Sequence, residues 1–339
     1  MKARYLIGVD LGTSNSALAY LDTLEEELES STLPITQLSS PGSLEERNVL
    51  PSFLYVGSEG ERSSAALHSE LSEDESPSAV VGAYALAQTA YQPNRVIASA
   101  KSWLCHGGVD REAKILPWGS EAVSIEDRLS PLEVSAAYLR HLLLVWNRSI
   151  GRYHSEYRFE SQAITLCVPA SFDEAAQRLT LEAARLAGYP DEVQLLEEPQ
   201  AAFYRWLEGH SLEESIFRAA PELRERAVRV LVCDVGGGTS DFSLFEIHHR
   251  GDDLPDIERV AVSDHILLGG DNIDFAIAKK LEAELPNRGA SLSPRQWNHL
   301  VFAARGLKER VLGAELGADP EEEFRVAVPG EGSLSLIHI

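Results

Sequence analysis

Residues Leu6–Ala19 read LIGVDLGTSNSALA, and residues Leu231–Phe245 read LVCDVGGGTSDFSLF. Each is an apolar run ending in an aspartate, Asp10 or Asp234, then a turn of glycine and hydroxyl residues, then a second run. That order predicts strand, tight turn, strand. The first unit is expected to pair Tyr5–Val9 with Ser16–Tyr20, and the second Arg229–Cys233 with Asp241–Ile247. The two units lie about 224 positions apart and repeat both the aspartate and the threonine, which marks an internal duplication of one hairpin.

The composition of the turns suggests their chemistry. Small residues let backbone N–H groups approach phosphate oxygens, and hydroxyls add donors. A carboxylate beside phosphates is useful when a cation lies between them, so Asp10 and Asp234 point to Mg²⁺, held directly or through its waters. Two such hairpins facing each other would clamp a triphosphate. Gly12, Thr13, Ser14 and Asn15 form one candidate turn, and Gly236, Gly237, Gly238 and Thr239 the other. Other phosphate and nucleophile motifs are absent. There is no G-x-x-x-x-G-K-[ST] and no G-x-S-x-G, and GGGT leads into a strand rather than a helix.

Outward from the hairpins, two acidic, serine-rich segments flank a strand at Phe53–Val56: Glu25–Arg47 reads as a solvated insertion or a mobile hairpin tip, and Gly57–Ser78 as a surface loop. Helices are expected over Ala79–Gln88, over Pro131–Arg148 behind a Ser130/Glu133 capping box, and from a Ser171/Glu174 capping box to Leu186, closed by Gly188. Strands are expected at Ala163–Val168, Val193–Leu196 and Val260–Ser263. A helix should follow EEP at 197–199, another should cover Phe275–Glu284, and a last one, capped by Ser293, should reach about Leu312. This succession predicts an α/β protein with mixed sheets.

The 339 residues carry 30 Lys and Arg against 53 Asp and Glu, a net charge of −23, which argues against a nucleic-acid surface. No apolar run approaches the ~20 residues of a membrane span, so a cytoplasmic protein is expected. Cys105, Cys167 and Cys233 form no CxxC pair and are expected to be buried thiols.

The segments IGVDLGTSNS, ERNVLPSFLYV, VVGAYALAQTAYQPNRVIASAK, LCVPASFDEAAQRLTLEAARLAG, LLEEPQAAFY, VLVCDVGGGTSDFSLF and LLGGDNID, in this order, resemble the ATPase domain of the 70-kDa heat-shock chaperones. The resemblance implies the actin-like ATPase (ribonuclease H-like) fold, with two lobes each built on a mixed sheet flanked by helices. Lobe I would cover residues 1–210, with 21–47 and 57–78 as acidic loops, and lobe II residues 211–339, incomplete at its C-terminus. It implies ATP and ADP as ligands with Mg²⁺, and hydrolysis that drives lobe closure and client release. J-domain and nucleotide-exchange co-chaperones and protein clients are the implied partners. A nucleotide-dependent binding or scaffolding module with little turnover is the alternative, and a sugar kinase a third reading.

By the same resemblance Lys101 would orient the attacking water and the terminal phosphate, and Glu198 would accept from a metal-bound water. Asp241 would polarise the lytic water, and Thr239 would act in the second phosphate loop. Gly269 and Gly270 would bring backbone to the nucleotide, and Lys308 would contact adenosine. Lys308 and Arg305, the latter in place of the family's glutamate, would lie on an exposed helix face.

Overall fold

The computed structural model describes residues 3–26, 28–106, 108–218, 220–221, 226–248, 256–264, 266, 268–284, 292–313, 325–329 and 334–338. It opens with the first hairpin, β1 (Tyr5–Leu11) and β2 (Asn15–Asp22). Ile7, Val9 and Leu11 alternate inward, as a half-buried strand requires.

The first acidic segment, expected as a solvated insertion or a hairpin tip, folds as β3 (Ser31–Thr32) and an antiparallel hairpin of β4 (Ile35–Ser40) and β5 (Ser43–Arg47). The glutamates of β5 hide the pattern, but Leu33, Ile35 and Gln37 alternate and are all buried. Gln37 is satisfied there. It donates to the Val49 carbonyl at 3.0 Å and accepts from the Ala83 N–H at 2.8 Å. After β6 (Leu50–Pro51) and β7 (Phe53–Val56), the second supposed loop begins with a helix, α1 (Glu59–Ser63), under a Ser58/Glu61 capping box. The Glu61 carboxylate also accepts from the hydroxyls of Tyr55 at 2.7 Å and Tyr84 at 3.2 Å, and Leu67 and Leu71 are buried behind it.

The helix expected from Ala79 starts later. Residues Ala79–Val81 are β8, Gly82 turns the chain at φ +91°, and α2 covers Ala83–Tyr91. Next come β9 (Val96–Ala98), α3 (Ala100–Cys105), α4 (Pro131–Arg148), β10 (Ala163–Val168), α5 (Glu174–Leu186), β11 (Val193–Glu197) and α6 (Glu198–Gly209). The Ser130/Glu133 box caps α4 as expected. For α5 the cap is Asp173, whose carboxylate accepts from the Ala176 N–H at 2.7 Å, rather than Ser171. Aspartate satisfies the free N–H groups of a first turn as well as serine does, and it also complements the helix dipole.

The first large sheet runs β11-β10-β1-β2-β3, parallel across its first three strands and antiparallel beyond, with β6 also pairing β2. α4 and α5 bury Leu139, Leu142, Trp146, Leu179 and Ala183 against Ile7, Val9, Ile164 and Leu166. The Trp146 indole N–H donates to the Tyr157 carbonyl at 2.8 Å.

The second hairpin is β12 (Val228–Val235) and β13 (Ser240–His248), joined by β14 (Asp256–Val262) in a sheet whose three described strands pair antiparallel. The duplication seen in the sequence holds in the register. Asp10 pairs with Ala17, and Asp234 pairs with Asp241, the same offset in both hairpins. Phe203 and Phe217 pack under Val228 and Ile247. α7 (Gly270–Glu284) and α8 (Pro294–Gly313) bury Ala278, Leu281, Leu300 and Ala304 between them. β15 (Arg325–Pro329) and β16 (Leu334–His338) close as an antiparallel pair, while 314–324, 330–333 and Ile339 lie outside the described residues.

Of the cysteines expected to be buried, Cys105 and Cys167 are half-buried and Cys233 is exposed. Cys233 falls on the outward side of β12, with Leu231 and Val235, where alternation puts it.

Candidate functional site

The turn between β1 and β2 is closed by its own backbone. A Cβ on Gly12 would stand 2.0 Å from the Asn15 carbonyl oxygen, so no other residue fits. Ser52, 1 % exposed, holds the turn from behind. Its N–H donates to the Ser14 carbonyl at 2.9 Å and its hydroxyl to the Gly12 carbonyl at 2.7 Å.

The turn between β12 and β13 faces it at contact distance. A Cβ on Gly237 would lie 1.7 Å from Ser14 Oγ, and one on Gly238 would lie 3.1 Å from the Thr13 methyl. A third turn seats the second. Gly270 N–H donates to the Gly236 carbonyl at 3.0 Å and Asp271 N–H to the Gly237 carbonyl at 2.7 Å. Gly269 sits so close that a Cβ there would meet the carbonyl oxygens of Gly236 and Gly237 at 2.6 Å.

Beside these turns lies a cleft with a volume of about 670 Å³. Asp10, Gly12, Thr13, Ser14, Asn15, Lys101, Glu198, Asp234, Gly236, Gly237 and Thr239 all line it. These come from two strand ends, two turns, α3 and the first residue of α6, so the fold gathers most of the candidate residues. Gly238, Asp241, Gly269, Gly270 and Lys308 do not line it. Asp241 is buried opposite Asp234 in the ladder, and the others support the second turn or the start of α7.

Lys101 is nearly buried and its ammonium pairs with Glu198 Oε1. Burial alone would lower its pKa, but the Glu198 and Asp10 carboxylates outweigh that and hold it raised, so it is charged. Burial raises the Asp10 carboxyl, with Lys101 opposing and Asp234 adding to the shift. Burial also raises Asp234, and the nearby Glu198 charge adds to it. The centre thus holds more carboxylate than its one ammonium can balance. Among the described residues no group of three or more His, Cys, Asp or Glu side chains converges as direct metal ligands.

Lys308 and Arg305 are not on a solvated face. Lys308 Nζ donates to the Gly270 carbonyl at 2.8 Å and pairs with Asp274 at 2.7 Å. Arg305 pairs with Asp271 at 2.7 Å, reaches Ser14 Oγ at 3.4 Å and lies over the Phe53 ring at 5.3 Å. It therefore spans from α8 to the first turn. Helical periodicity placed these side chains away from the α7–α8 core, but that direction is filled by α7's acidic first turn and by the first half of the chain.

Cleft residues that sequence reasoning missed are Ser52, behind the first turn, and Cys167, Arg205 and Cys233 in the lining. Arg205 carried a usable signal, since it follows Glu198 by seven positions on the same helix. Ser52 carried none, because a hydroxyl in NVLPSFLYV has no chemistry until the strand lies against the turn.

A family model described as Hsp70 protein matches residues 62–314, well over half of the chain. The chain belongs to the Hsp70 family. The Hsp70 ATPase domain has the actin-like fold, and the paired hairpins on two sheets are that architecture. Among curated proteins, this Hsp70 chain is 31% identical over 318 residues to a protein named "Chaperone protein HscA homolog" from Acidithiobacillus ferrooxidans, covering 90% of the chain and 41% of that relative. It is 30% identical over 317 residues to the same-named protein of Azotobacter vinelandii, covering 90% of the chain and 42% of the relative. The counterpart in Pseudomonas aeruginosa is 30% identical over 318 residues, covering 91% and 42%. The Hsp70 chain thus spans about two-fifths of the length of the curated relatives it matches. No described helix is long and apolar enough to cross a membrane.

Proposed function

We propose that the cleft binds ATP and ADP with Mg²⁺ and hydrolyses ATP, and that hydrolysis drives lobe closure and release of a protein client, with J-domain and exchange-factor partners. The observation that carries this reading is the contact of the two glycine turns across the cleft, at Ser14 and Gly237, beside the Lys101–Glu198 pair. Two sets of backbone donors meeting from opposite sides suit a chain of phosphates, which needs donors on more than one face.

The surplus of carboxylate fits a hydrated divalent cation, with Asp10 and Asp234 holding its waters and Glu198 accepting from one of them. When bound, that ion would neutralise phosphate charge. The residues of the chain do the rest. Gly12–Asn15 and Gly236–Thr239 orient the phosphates with N–H and hydroxyl donors. Lys101 stabilises charge that develops on the transferred phosphoryl group, and Asp241 would polarise the attacking water. The Gly269–Gly270 turn and Lys308, outside the cleft lining, would act on the nucleoside side by supporting the second turn.

A second reading, a nucleotide-dependent binding module with little turnover, is favoured by one contact. The Lys101 ammonium is already committed to Glu198. Steady-state hydrolysis of ATP by the full protein, with Mg²⁺ and with EDTA, separates the two. Mg²⁺-dependent turnover that falls in Asp10→Asn and Asp234→Asn supports the ATPase. Tight ADP binding without turnover selects the binding module, and equal turnover in EDTA overturns the metal assignment.

A further inference from the structure

We infer that Arg205 is a phosphate-binding residue of this cleft, taking a tetrahedral phosphate dianion: the terminal phosphoryl group of a bound triphosphate or the inorganic phosphate cleaved from it. The inference rests on the nucleotide reading above. Glu198, Ala201, Ala202 and Arg205 follow the i, i+3, i+4, i+7 spacing of a single helical face, and all four line the cleft. α6 therefore shows the cleft a carboxylate in its first turn, two methyl groups, and a guanidinium roughly 10 Å further along the axis. The alanines leave the space between the two ends open.

Charge supports the assignment. The cleft lining carries Asp10, Glu198 and Asp234, and its cations among the described residues are Lys101 and Arg205. Lys101 is held by Glu198 and Asp10, so much of its charge is balanced before any phosphate arrives. Arg205 is not so committed. Its partner is Glu208, three residues on along the same helix, and the two side chains are 71% and 54% exposed. A pair of that kind is weak in water and gives way to a better anion. The guanidinium stays charged and presents a planar fork that matches two phosphate oxygens. Its long stem lets it turn inward from the rim while the helix stays fixed.

The test is calorimetric titration, with Mg²⁺ present, of the full chain and of Arg205→Ala, Arg205→Lys and Glu208→Gln. The titrants are ADP, inorganic phosphate added to the ADP complex, and a non-hydrolysable ATP analogue. Arg205→Ala is expected to leave ADP affinity within about twofold and to weaken the analogue, the added phosphate, or both, at least tenfold. Loss with the analogue assigns Arg205 to the terminal phosphoryl group, and loss with added phosphate assigns it to the cleaved product. Arg205→Lys should fall between, since it keeps the charge and loses the fork. Glu208→Gln should bind as the wild type or more tightly. Equal binding of all three titrants by Arg205→Ala, an equal loss for ADP and the analogue, or a Glu208→Gln variant that copies Arg205→Ala would overturn the inference alone. Failure of the wild type to bind ADP would overturn the nucleotide reading and this inference with it.

Discussion

Gly237 stands against Ser14 so closely that a single added methyl group would fall 1.7 Å from the serine oxygen. One residue belongs to the turn after β12 and the other to the turn after β1. The lack of a side chain at Gly237 is thus the condition for the two hairpins to meet.

Gly237→Ala should push the two turns apart and weaken nucleotide binding by more than tenfold, with a smaller effect on overall stability. Fluorescent-nucleotide titration alongside a thermal melt checks it. Adding Ser14→Ala should restore part of the affinity, because the nearest remaining atom, Ser14 Cβ, lies at 2.8 Å. No rescue by the double substitution would mean that the clash with Ser14 Oγ is not what the glycine avoids.

Lys101→Ala should lower the rate of hydrolysis by the equivalent of about 2.7–4 kcal/mol, the usual cost of removing one stabiliser of developing charge. Single-turnover kinetics compared with ADP affinity reads it. A loss confined to binding would show that Lys101 holds only ground-state phosphate.

Ser52→Ala removes the hydroxyl's contacts with the Gly12 carbonyl and with the Ser16 hydroxyl, and leaves the half-buried Gly12 carbonyl without that donor, while the backbone N–H to the Ser14 carbonyl stays. The expected cost is about 1–3 kcal/mol of stability, with KM for ATP raised more than kcat is lowered. Urea melts and steady-state kinetics on the same preparation decide it. An unchanged KM would detach Ser52 from the site.

His141 donates from Nε2 to the Thr36 carbonyl at 2.9 Å, tying α4 to the β4–β5 hairpin. Burial lowers its pKa from 6.5 to about 4. The folded state thus favours the neutral ring. Its contribution is complete above the unfolded value and is lost as pH falls from 6.5 toward 4. The ring keeps some solvent access, so the loss should be a fraction of the roughly 3 kcal/mol that a shift of this size carries when fully enclosed. Denaturant midpoints measured across that range should fall with pH, and His141→Gln should flatten that part of the slope.

The two hairpins, α4 with its capping box, and the helix after Glu198 were legible because local pattern decides them. Apolar alternation, a glycine at a turn and a capping serine act on their own neighbours in the chain. The strands and buried residues of the β4–β5 hairpin, α1 and the true cap of α5 were not legible. Acidic residues on the solvent side of β5 masked the buried alternation of Leu33, Ile35 and Gln37, and Ser171 and Asp173, two residues apart, each offer an oxygen that can accept from a first-turn N–H.

The sequence by itself determined the pair of glycine-rich turns and their aspartates, because a strand, a turn and their polar residues are contiguous, and seven matching segments in one order carried the resemblance to the family. Only the tertiary structure decided what surrounds them. Ser52 behind the first turn, Lys101 paired with Glu198, and Arg305 reaching from α8 to Ser14 are contacts between distant segments. The burial that raises the Asp10 and Asp234 carboxyls, and the partners that take Lys308 and Arg305 out of solvent, arise when those segments pack and exclude water. No periodicity within one segment encodes them.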